Sequence, residues 1–130
     1  MTAQVRLQEI FDITLNHLRQ QRVGSFVIDR KESLYESPVC LYRGPCGVKC
    51  AAGVHIPDDA YTPEMEGKSI RNVAEVFLPG RFTRAEVDLM AVMQSAHDRH
   101  LATGDTLRWE LSMRDIASLQ RDGPLTYTPL

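Results

Sequence analysis

A chain of 130 residues, 43% hydrophobic and 25% charged, has the size and balance of one domain with its own core, spanning residues 1–130. The net charge of −2 is unevenly placed: residues 1–52 carry seven basic and five acidic side chains, and residues 68–130 balance eight against eight. Between them, residues 53–67 hold Asp58, Asp59, Glu64 and Glu66 with no Lys or Arg, a pattern that speaks against both a basic nucleic-acid-binding stripe and an acidic DNA mimic.

No apolar run approaches the ~18 residues that a membrane span needs. The opening "MTAQVRLQEIFDITLNHLRQQ" scatters charges through its apolar positions, so it does not read as a signal peptide. Three cysteines is an odd number. Without a secretory signal it points to reduced thiols and a cytoplasmic location.

Residues 5–21 predict an amphipathic helix, with Leu7, Ile10, Phe11, Thr14, Leu15 and Leu18 at helical spacing and Gly24 as a stop. "SFVID" (25–29) reads as a short strand, and 30–38 as a polar connection ending at Pro38. The stretch "CLYRGPCGVKCAAGVHIPDD" (40–59) reads first as a β-hairpin. Gly44-Pro45-Cys46-Gly47 has the chemistry of a type I turn closed by a left-handed glycine. That register pairs Gly44 with Val48, Tyr42 with Cys50 and Cys40 with Ala52, and puts Cys40, Tyr42, Val48, Cys50 and Ala52 on one buried face.

A Pro-punctuated loop spans 56–67. A short helix capped by Ser69 carries Ile70, Val73, Ala74 and Phe77 inward. Thr83 and Glu86 form a capping box, with Phe82 and Val87 placed as a hydrophobic staple. The helix they open runs from 84 to about 102, with Leu89, Met90, Met93, Ala96, His97 and Leu101 inward. A last helix, about 106–121, carries Trp109, Met113, Ile116 and Ala117 and stops before Gly123-Pro124. The expected fold is α+β: about four helices on a small antiparallel sheet centred on the hairpin at 39–55.

Cys40, Cys46, Cys50 and His55 invite a zinc reading, but the spacing lacks the short Cys-x2–4-Cys knuckle. In the hairpin, Cys40 also lies four residues from Gly44, about 13 Å at ~3.3 Å per residue, too far to share one tetrahedral ion with Cys46. The expectation is therefore no metal and no cofactor. A Cys40–Cys50 disulfide would be diagonal, near the ~7 Å limit for bridged Cα atoms, so both cysteines read as small core residues.

Cys46 is expected to be an exposed thiol at the turn tip, with Arg43 and Lys49 beside it. It has no base or anion-stabilising pair to make it a nucleophile, and no catalytic residue is assigned. His97 reads as a core histidine satisfied by one hydrogen bond, and His100 shares its helix face. His97 and His100 have no carboxylate partner, because Asp98 should point elsewhere on the wheel. Asp58, Asp59, Glu64 and Glu66 lack calcium-loop spacing. They are the candidate contact for a basic partner surface, with the face around Arg81 and Arg84 next.

The stretch from Cys40 to Gly67 resembles one found in small uncharacterised proteins of tailed phages and prophages. In these a Tyr-Arg-Gly turn leads into a Cys-Ala strand and an Ile-Pro-Asp loop ending in Glu-Gly. The matching positions are Tyr42, Arg43, Gly44, Lys49, Cys50, Ala51, Gly53, Ile56, Pro57, Asp58, Tyr61, Pro63, Glu66 and Gly67. The "LQEIFD" helix is similar in style. No activity carries over from the resemblance residue by residue; by analogy it implies a small protein that works by binding host machinery. The resulting expectation is a non-enzymatic interaction protein that modulates or inhibits a host protein complex, such as a defence system. A small thiol- or carboxylate-dependent enzyme is the alternative, and a nucleic-acid-binding module ranks third.

Overall fold

The computed structural model describes residues 2–29 and 37–130, with backbone alone for 27–29 and 37–39. Helix α1 spans Ala3–Gln21. It starts where the Thr2 hydroxyl accepts from the Val5 N–H, and its stripe of Leu7, Ile10, Phe11, Thr14, Leu15 and Leu18 is buried. The stop is not Gly24 but Arg22, which turns left-handed at φ 65° and returns its N–H to the Leu18 carbonyl. Strands β1 (Phe26–Asp29) and β2 (Ser37–Cys40) pair antiparallel, Phe26 opposite Cys40. Most of the polar connection expected at 30–38 lies outside the described residues.

Helices α2 (Ile70–Val76), α3 (Arg84–His100) and α4 (Thr106–Ser118) complete the chain. Ser69, Thr83 and Asp105 cap them, each accepting a first-turn N–H. The box at Thr83 forms as expected, its hydroxyl also donating to the Glu86 carboxylate at 2.8 Å. Helix α4 ends earlier than Gly123 because the chain folds back and the Leu125 N–H takes the Ala117 carbonyl at 2.8 Å. Helix α3 packs against α1, α2 and α4. One cluster from Leu7 to Leu125 is the core, with Met90, Met93 and Met113 fully buried. Among the described residues no helix is long and apolar enough to cross a membrane.

The α+β expectation is overturned. The fold is mostly helical, and the antiparallel sheet centred on a β-hairpin at 39–55 does not form. Among the described residues β1 and β2 make a ribbon of only two strands. Between 41 and 55 the predicted register survives only at the turn, as the Gly44 N–H to Val48 carbonyl bond and a bridge between Arg43 and Lys49.

The physical reason is that side chains occupy the backbone groups a ladder would need. The Glu66 carboxylate accepts from the Tyr42 and Arg43 N–H groups at 2.8 and 3.1 Å. The Gln21 amide takes both sides of Lys49, accepting from its N–H at 2.8 Å and donating to its carbonyl at 2.9 Å. Gln94 accepts from the Ala52 N–H at 2.9 Å. With these bonds made, residues 50–55 coil into a 3-10 turn over Gly53–His55 instead of extending. Strand alternation fails accordingly: Ala51, assigned outward, is as fully buried as Cys50 and Ala52. The tip differs too, since Cys46 itself is left-handed (φ 59°) together with Gly47 (φ 79°), so it is not a type I turn.

Candidate functional site

The 40–67 stretch wraps into a knot around Arg43 and Glu66. The Arg43 guanidinium donates to the Gly53 and Ile56 carbonyls, both at 2.6 Å, and to Asp58 at 3.1 Å, while lying over the Tyr61 ring. Glu66 adds the Tyr61 hydroxyl at 2.7 Å to its two N–H donors. Burial and that bond to Glu66 push the Tyr61 phenol up to about 12, with Arg43 opposing. Gly53 is required by close approach, since a Cβ there would sit 2.3 Å from the Tyr42 carbonyl oxygen. The Tyr42 hydroxyl donates to the Lys68 carbonyl, and burial first, then nearby thiols and carboxylates, raise its pKa. These residues are consumed in holding their own loop.

The predicted contact residues therefore divide. Glu66 is structural. Asp58 is exposed but pairs with Arg43 and, at 3.7 Å, Lys49. Asp59 and Glu64 are exposed, as are Arg81, in the link after α2, and Arg84, at the start of α3. Cys46 is exposed at its tip and Cys50 is buried, whereas Cys40 is only half-buried. His55 rests its Nε2 on the Thr14 hydroxyl at 2.7 Å. Burial, then the nearby charge of Arg6 and His17, lowers its pKa to about 4.

A second cluster was not legible in the sequence. Cys40, Gln94 and Asp98 sit together at the wall of a cavity of about 510 Å3, closed on its other side by Tyr42 and residues 67–71. His97, fully buried and stacked on Phe26 at 4.7 Å, adjoins them. Contrary to expectation, Asp98 does reach His97, its carboxylate lying 2.9 Å from Nδ1. The ring is also satisfied at both nitrogens rather than one, because the Ser25 N–H donates to Nε2 at 3.0 Å. Gln94 Nε2 bridges the group, donating to Cys40 Sγ at 2.9 Å and to Asp98 at 2.8 Å. Local pattern hides this set, since the spacing of Gln94 and Asp98 is ordinary for a helix surface; Cys40 reaches it only through the ribbon.

Cys40, His97 and Asp98 place one donor atom each within 4.8 Å of one another, the separation of a metal centre's ligands. The tautomer decides against that use. The Ser25 amide hydrogen points at Nε2, so the ring proton sits on Nδ1 and is given to Asp98. For Nδ1 to bind a cation the ring would have to become an imidazolate. The same bond leaves His97 no free nitrogen to take a proton from Cys40, so the pair is not a thiol–imidazole dyad. The Cys40 thiol is itself pushed well up, first by a hydrogen bond to Cys50 and then by burial, the opposite of an activated nucleophile. No family model, curated protein or solved structure matches the chain.

Proposed function

We propose that this chain is a non-enzymatic interaction protein of phage or prophage type, acting in the host cytoplasm on a host protein complex such as a defence system. The observation that carries the reading is a leucine ridge on the outer side of α4. Leu107 and Leu111 lie one turn apart and are 70% and 42% exposed, and Leu119, just past the helix end, is 79% exposed. Val92 of α3 shares a shallow groove with Leu119. Large apolar side chains exposed along one helix favour a protein contact. The titratable clusters support the same reading from the other side, because Arg43, Glu66 and His97 are spent on internal bonds. A nucleic-acid role gains nothing, since Arg19, Arg43 and Arg71 are each paired with a carboxylate.

The test is affinity capture from a bacterial host lysate with the wild type, Leu107→Lys/Leu111→Lys, and Asp59→Lys/Glu64→Lys, each checked for an unchanged melting temperature. The expected result is one host protein retained by the wild type and by the acidic-loop variant, and reduced at least about tenfold by the ridge variant. Loss confined to the acidic-loop variant would keep the function but move the contact to Asp59 and Glu64. Retention of no specific protein by the wild type would overturn the reading.

A further inference from the structure

Asp98 belongs to neither the knot nor the leucine ridge. Its side chain is 46% exposed, yet it is held in place from the protein side. His97, with no exposed surface, takes the Ser25 N–H on Nε2 and gives its Nδ1 proton to Asp98 Oδ1 at 2.9 Å. Gln94 donates to the same oxygen at 2.8 Å and is itself fixed, because its own oxygen accepts from the Ala52 N–H. Both bonds fall on Oδ1, and among the described residues no donor reaches Oδ2. A carboxylate has about four acceptor positions, so half of this one is unused. A carboxylate set by a buried ring and an anchored amide has the support of a preorganised binding group.

The cavity that Asp98 borders, about 510 Å3, has the size of a small-molecule site, and Ile70 and Ala91 give it an apolar wall. Its two cationic lining residues turn elsewhere. Lys68 Nζ donates to the Glu64 carbonyl at 2.6 Å and lies over the Phe77 ring, and Arg71 pairs with Asp88. Neither pairs with Asp98, which therefore faces the cavity with its charge uncompensated among the described residues. An anion would be repelled there, and a neutral guest would leave that charge without a partner. We propose that this cavity binds a small organic cation, an ammonium- or amidinium-bearing molecule with an apolar body. Its N–H groups donate to Asp98 Oδ2 in a charge-assisted hydrogen bond, and its body lies against Ile70 and Ala91. His97 and Gln94 are positioning residues that hold the carboxylate for it.

The test titrates the full chain with two cationic probes, benzamidine and phenethylamine, and with their neutral counterparts, benzamide and 2-phenylethanol, while backbone amide NMR shifts are followed. At least one cation should saturate with a Kd of about 1 mM or tighter, in the range open to so small a ligand, and move the amides of Ile70, Ala91, Gln94 and Asp98. Its neutral counterpart should bind at least about tenfold more weakly. Asp98→Asn, which keeps the side chain's shape and removes its charge, should weaken the cation by a similar factor at an unchanged melting temperature. Should that variant not fold, the comparison of charged and neutral probes on the wild type still decides. No shift at these four amides with either cation, neutral probes that bind as well as the cations, or undiminished binding by folded Asp98→Asn would each overturn the site.

Discussion

Glu66 shows how much one side chain can organise. Its two oxygens collect three donors from residues 23, 24 and 5 positions away, the Arg43 and Tyr42 N–H groups and the Tyr61 hydroxyl. A carboxylate can accept all three because it has no hydrogen of its own in the way. Glu66→Gln puts an NH2 where donors already point, so at least one backbone N–H loses its acceptor. The expected cost is about 1.5–3 kcal/mol, the range for hydrogen bonds to a charged group, read from urea denaturation. Glu64→Gln, at an exposed carboxylate two positions away, should change almost nothing. Equal effects at the two positions would mean that Glu66 is no more than a surface charge.

Among the elements, the broken hairpin is made testable by Gly53. It holds the turn against the Tyr42 carbonyl, and Gly53→Ala would drive a Cβ into backbone that cannot move aside. A loss of about 3 kcal/mol or more is expected, at the severe end of overpacking, again from denaturant midpoints. In an extended strand the same change would be nearly neutral. The helices were readable because their signals are local: Ser69 and Thr83 cap within three residues, and Leu89, Met90, Met93 and His97 repeat at helical spacing. The hairpin misled for the same reason. Gly44-Pro45-Cys46-Gly47 is a strong local turn signal and does turn the chain, but the course of the backbone on either side of it is decided by Gln21, Glu66 and Gln94. These are ordinary polar letters whose partners lie 23 to 42 positions away. The Cys40–Asp98 cluster was hidden by longer separations still, Cys40 lying 54 positions from Gln94.

For the molecule as a unit, acid stability should track His55. Its Nε2 sits against Thr14 of α1 with its ring largely buried. Below about 6.5 the unfolded chain binds a proton there that the folded chain refuses until about 4, so stability is full above 6.5 and falls as the pH drops through that window. Glu110 extends the loss to lower pH: although burial opposes it, hydrogen bonds from Arg19 and Tyr127 hold its carboxyl below the usual value. His55→Gln should flatten the fall between 6.5 and 4 and leave the lower limb, as measured by melting temperature against pH. An unchanged profile would place the titration elsewhere. The side-chain clamps also have a kinetic consequence. Gln21 reaches 28 positions to Lys49, Gln94 reaches 42 to Ala52, and Gln8 reaches 118 to grip both the N–H and the carbonyl of Thr126. A true hairpin closes alone in about 1–10 μs, but residues 41–55 have no ladder to close. Lys49 and Ala52 gain their partners only after α1 and α3 have docked, when the loop-closure entropy has already been met. The amides of Lys49 and Ala52 should therefore acquire hydrogen-exchange protection in a refolding pulse only after those of α1 and α3, and release it on opening as soon as those helices part.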